Sequence, residues 1–119
     1  MPNGDEPYSA KELDAFFVDL IPLVTKFARQ HRLNFSRYYH GSPSLFLRWR
    51  SVLGSKRVIQ IRRIVHTDRV SIHGASWRAA TEQAYQVEPK VEADLSSTSD
   101  VAPIMEAVRN CYDELCRQL

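Results

Sequence analysis

The stretch SLFLRWRSVLGSKRVIQIRRIV, residues 44–65, decides the fold. Two runs rich in β-branched and large apolar residues flank Gly54, the pattern of an antiparallel hairpin. Six cations, Arg48, Arg50, Lys56, Arg57, Arg62 and Arg63, stand among the apolar residues. A slip of one residue in the pairing turns every side chain to the other face, so the apolar pattern selects the register. A two-residue loop at Gly54 and Ser55 sets Leu47 against Arg62 and Phe46 against Arg63, and both faces are mixed. A three-residue loop, 54–56, sets Trp49 against Ile61 and Leu45 against Val65. One face then becomes mainly apolar, with Arg63 an awkward member of it. The other face places Arg48 opposite Arg62 and Arg50 opposite Gln60.

Further strands are expected at 69–78 and 83–93, after turns at HTDR, residues 66–69, and around 79–82. Keeping Val70 and Ile72 inward puts His73 beside Arg62, so Arg48, Arg62 and His73 form a row across three strands. Short connections make the strands antiparallel neighbours. Pro89 marks the fourth as an edge or a broken strand, because proline cannot donate to the ladder.

Helices are expected on both sides of the strands. Ser9 and Glu12 form a capping box, and Leu13, Phe16, Phe17, Leu20, Val24, Phe27 and His31 recur at steps of three and four, so a helix is read over 9–32. Pro22 requires a kink or a restart inside it. Ser99 or Asp100 can cap a second helix, whose apolar stripe is Val101, Ile104, Val108, Cys111, Tyr112, Leu115 and Leu119. The expected fold is α+β: an N-terminal helix, a four-stranded antiparallel meander and a C-terminal helix, packed as a two-layer sandwich. The 119 residues form one domain, 1–119, with 1–8 as a flexible N-terminus.

The net charge of +2 conceals a division along the chain. Residues 1–25 set one lysine against five acids. Residues 26–78 hold twelve Lys or Arg against Asp68 alone, and all four histidines. Residues 79–119 hold three cations against eight acids. Such asymmetry marks a basic surface suited to phosphate or to an acidic protein. The alternative is that the acidic helices fold over the basic sheet and neutralise it. Like charges opposed on a sheet repel, so an anion bound between Arg48 and Arg62 would relieve the pair.

No run approaches the length of a membrane span, and MPNGDEPYSA lacks the basic and apolar regions of a signal peptide, which points to the cytoplasm. The H-x-x-R spacing of HTDR occurs in tyrosine recombinases, but such a site needs a second arginine and a helical catalytic domain too large for this chain. No phosphate-binding glycine loop, nucleophile elbow or metal-ligand spacing is present, so no catalytic residue, metal or cofactor is expected. Cys111 and Cys116 fall on different sides of a helix and read as small apolar residues.

The expected anion-binding residues are Arg37, Tyr39, Arg48, Arg50, Lys56, Arg57, Arg62 and His73, with Arg37 and Tyr39 on the loop before the hairpin. Trp77 can add a stacking platform if Gly74 introduces a bulge. The segment GSPSLFLRWRSVLGSKRVIQIRR, built on L-R-W-R and a following basic strand, resembles a hairpin of small accessory proteins of conjugative and integrative mobile elements, including MobI-like mobilisation proteins. That resemblance covers about twenty residues and implies a non-enzymatic role in DNA mobilisation. Two functions are therefore carried forward. The first is a nucleic-acid-binding domain, DNA ahead of RNA. The second is an interaction module of adaptor, chaperone or immunity type that holds an acidic protein or a second copy of itself.

Overall fold

The computed structural model describes residues 15–38, 43–52, 54–64, 69–77, 84–86, 91–94 and 101–117. In chain order they form helix α1 (Ile21–His31), strands β1 (Asn34–Tyr38), β2 (Ser44–Arg50), β3 (Lys56–Arg63), β4 (Arg69–Trp77), β5 (Ala84–Gln86) and β6 (Val91–Asp94), and helix α2 (Val101–Cys116). The architecture is the expected one of helix, antiparallel sheet and helix.

Pro22 restarts the first helix rather than kinking it. It occupies the first turn, where a backbone donor is not needed, and the preceding turn is closed by Leu20 and Ile21 N–H groups donating to the Phe17 carbonyl at 2.9 Å. The helix ends at Arg32, whose φ of 58° is left-handed, and Leu33 N–H donates to the Ala28 carbonyl at 2.8 Å. The predicted capping box and the caps of the second helix lie outside the described residues, as do the turn at 66–68 and Pro89.

The sheet order is β1-β2-β3-β4-β5, with β6 also on β4, and every pair is antiparallel. Asn34–Tyr38, expected as loop, is an edge strand on β2. The fourth expected strand is present in two pieces along one side of β4: β5 pairs with Ala75–Trp77 and β6 with Arg69–Ile72.

The hairpin register differs from the sequence reading. Leu45 opposes Ile61, Leu47 opposes Ile59, Trp49 opposes Arg57 and Arg50 opposes Lys56. Consequently Arg48 opposes Val58 and Arg62 opposes Ser44; the two arginines are not cross-strand partners. His73 opposes Gln60, so the predicted row of Arg48, Arg62 and His73 does not form. The cause is the turn, which takes five residues, 51–55. Ser51 N–H donates to the Ser55 carbonyl and Gly54 N–H to the Ser51 carbonyl, both at 2.9 Å, and Ser55 N–H donates to the Ser51 hydroxyl at 3.0 Å. Gly54 has φ +87°, a conformation that suits glycine. The strand shift is an even number of residues, so each side chain keeps the face that the apolar pattern assigns to it.

The core forms between the helices and one sheet face. Phe17, Leu20, Val24 and Phe27 meet Leu45, Leu47, Ile59, Ile61, Val70 and Ile72, and Ile104, Val108, Cys111 and Leu115 complete the cluster. Tyr112 joins the two helices to the sheet, with its ring 5.5 Å from Phe27 and 5.2 Å from Trp49. Both helices thus lie on the same side of the sheet. Gly74 makes the approach of α2 to β4 close: a Cβ there would stand 2.5 Å from Cys111 Sγ and 2.8 Å from Leu115 Cδ1. Pairing from Lys56↔Trp77 to Arg63↔Val70 is unbroken, so Gly74 serves helix packing and introduces no bulge.

Candidate functional site

The face of the sheet away from the helices is set by alternation along each strand. Its residues form rows across β1 to β4: Tyr38, Ser44, Arg62 and Ser71; Ser36, Phe46, Gln60 and His73; Asn34, Arg48, Val58 and Ala75; then Arg50, Lys56 and Trp77. Arg48, Arg50, Lys56 and Arg62 are exposed on it. A concavity of about 820 Å³ lies over this surface, lined by Arg48, Arg50, Lys56, Gln60, His73 and Trp77, with Arg32 and Asn34 at its β1 side.

Several contacts hold these side chains in place. The Arg48 guanidinium carbon sits 4.3 Å from the Phe46 ring centroid, and its Nη1 donates to the Ser36 hydroxyl at 2.7 Å. A cation over an aromatic face contributes about 0.5–1 kcal/mol at an exposed site, enough to favour one arm geometry. Tyr38 meets the same Phe46 edge-on, at 6.2 Å between centroids. Arg50 Nη1 donates to the Gly54 carbonyl at 3.2 Å, tying this cation to the turn. Gln60 Nε2 donates to the Ser44 hydroxyl at 3.2 Å.

Each carboxylate whose side chain is described, Asp19, Glu106, Asp113 and Glu114, lies in or beside a helix, and Glu114 pairs with Arg117 on α2. Strand β6 nonetheless sets two acidic positions at the far edge of the basic face, since Glu92 opposes Ser71 and Asp94 opposes Arg69.

Of the residues expected to bind anions, Arg48, Arg50, Lys56, Arg62 and His73 share the open face. Arg37 and Arg57 do not. Arg37 opposes Leu45, on the helix-bearing side, and its guanidinium is 5.9 Å from the Phe35 ring centroid. Arg57 opposes Trp49 and Ser76 and is only 6% exposed; it borders the concavity but belongs to the covered face. Its charge lies near the Tyr112 phenol, whose pKa is nonetheless raised, first by burial and then by its hydrogen bond with Cys116. Tyr39 lies outside the described residues. Arg63, assigned to the core side by the pattern, is accommodated there because its guanidinium stacks 4.4 Å from the Phe16 ring centroid.

Phe46 is a member of the open face that the search for cations passed over. The signal was present, since Phe46 shares its alternation with Arg48 and Arg50. Trp77 is 37% exposed and directly opposite Lys56. Among the described residues no cluster of three His, Cys, Asp or Glu could hold a metal ion, and no helix is long and apolar enough to cross a membrane. No family model matches the chain, and no curated protein or solved structure is significantly similar to it.

Proposed function

We propose that the protein is a cytosolic, non-catalytic nucleic-acid-binding domain whose open sheet face contacts phosphates. The observation that supports this is the cluster of exposed cations Arg48, Arg50, Lys56 and Arg62 on the face opposite both helices, with the acidic positions Glu92 and Asp94 of that face set apart on β6, beyond β4. Arginine and lysine at these positions can neutralise a backbone, and three of the four cluster at the Gly54 end of the hairpin. A surface with cations at its centre fits a polyanion better than a protein partner, because the buried centre of a protein interface is depleted of charge. The expected resemblance of the hairpin to accessory proteins of mobile elements is the reason to test DNA ahead of RNA.

Titration of labelled DNA and RNA at two salt concentrations tests the reading. Wild type should lose affinity steeply as salt rises, since each neutralised phosphate releases a counterion. Arg48→Ala and Arg62→Ala should weaken binding. Retention of one acidic protein with no salt-sensitive binding of either nucleic acid would select the interaction-module reading instead.

A further inference from the structure

Resting on that reading, we infer that the open face takes single-stranded nucleic acid, with Trp77 and the Phe46–Arg48 stack as two base platforms on one trough. Phosphate binding alone gives no reason for aromatic residues on the face, yet Trp77, Phe46 and Tyr38 all stand there, and Tyr38 and Trp77 are 48% and 37% exposed. A base can stack on an aromatic ring or on a guanidinium plane, and every base has a π-face, so such platforms tolerate any sequence.

The shape of the face argues against a duplex. A major groove about 12 Å wide admits a helix or a two-stranded ribbon. Strands β1 to β4, at about 4.8 Å spacing, span roughly 14 Å before side chains are counted. Such a sheet meets only the outside of a duplex, where paired bases are out of reach of Trp77 and Phe46.

The cations are placed beside the platforms. Lys56 is directly opposite Trp77 and Arg50 directly opposite Lys56, so a base on Trp77 has two phosphate donors within one row. The second platform is a preformed stack, since Ser36 and Phe46 already fix the Arg48 guanidinium. Two strands and four residues along separate Trp77 from Phe46, about 16 Å on sheet geometry, which leaves room for intervening nucleotides. Val58 and Ala75, in the same row as Arg48, lie between them as small apolar positions.

The test compares three labelled probes with equal numbers of phosphates per strand: an oligothymidylate of about fifteen nucleotides, the duplex it forms with its complement, and an abasic strand, a length within the ~4–16 nucleotide sites of single-strand binders. The oligothymidylate should bind about tenfold or more tightly than the duplex or the abasic strand. Trp77→Ala should reduce its affinity about 5- to 150-fold and leave the abasic strand unaffected, while Trp77→Phe retains most of the affinity. Circular dichroism and thermal melting of each variant establish that the fold is kept. Equal binding of the abasic strand and the oligothymidylate overturns the single-strand inference while leaving the phosphate-binding reading in place. Failure of all three probes to bind at low salt overturns both.

Discussion

Gly74 faces Cys111 across the contact between β4 and α2, and the space a methyl group at position 74 would need is occupied by the thiol. Gly74→Ala should therefore overpack this contact and destabilise the protein by about 1–3 kcal/mol. Removing the sulfur in Gly74→Ala/Cys111→Ala should restore part of the loss, with Leu115 Cδ1 still in the way. Urea unfolding of the two single variants and the double variant measures the coupling; additive losses would show that the thiol is not the obstacle.

The same thiol makes stability depend on pH. Burial, with Glu114 adding to it, pushes the Cys111 thiol from 9.0 up to about 12. A group whose pKa is raised on folding contributes fully below its unfolded value, and the unfolded chain gives up its proton first as pH rises. Stability should thus fall through the window from about pH 9 to pH 12, with a limiting slope of about 1.4 kcal/mol per pH unit from this group. Denaturant unfolding between pH 8 and pH 10.5 should show a steeper decline in wild type than in Cys111→Ala. In native protein the exposed Cys116 should react with a thiol reagent well before Cys111.

Arg48 and Arg62 lie on one face but on separate rows, about 14 Å apart on sheet geometry. Their replacements by alanine should act independently, each reducing the salt slope of nucleic-acid binding by about 0.7–0.9, and the double variant should show the sum. Strong non-additivity would indicate that one phosphate bridges both. Arg62→Ala should change stability by less than about 0.5 kcal/mol, whereas Arg48→Ala loses the hydrogen bond to Ser36 and the Phe46 stack and should cost about 1 kcal/mol.

Arg63 supplies the control. It is a hairpin cation like the others, but its guanidinium is against Phe16 on the helix-bearing side. Arg63→Gln should lower stability by about 0.5–2 kcal/mol and leave the salt slope unchanged. A slope reduced as much as in Arg62→Ala would place the ligand on the wrong face of the sheet.

The contrast between Arg62 and Arg63 shows how far alternation can be read. Leu45, Leu47, Ile59 and Ile61 face the core as their spacing requires, and Arg48, Arg50 and Arg62 face away from it. Arg57 has the same parity as Ile59 and is buried beside it, so its position was legible once charge was set aside. Strand β1 was harder to read, because Asn34–Tyr38 is short, mostly polar and paired on one side only.

What the sequence alone determined is which face each strand residue occupies and that two amphipathic helices must bury one side of an antiparallel sheet. Side-chain period two and helical period near 3.6 are local properties, so they can be read from one chain. The tertiary structure decided which cations are neighbours and which face stays open. A pairing shifted by an even number of residues satisfies the apolar pattern equally well, and only the hydrogen bonds of the five-residue turn choose among such registers. Only packing, with Gly74 admitting α2 against β4, decides that both helices lie on the Ile59 and Ile61 side and leave Arg48 and Arg62 facing outward.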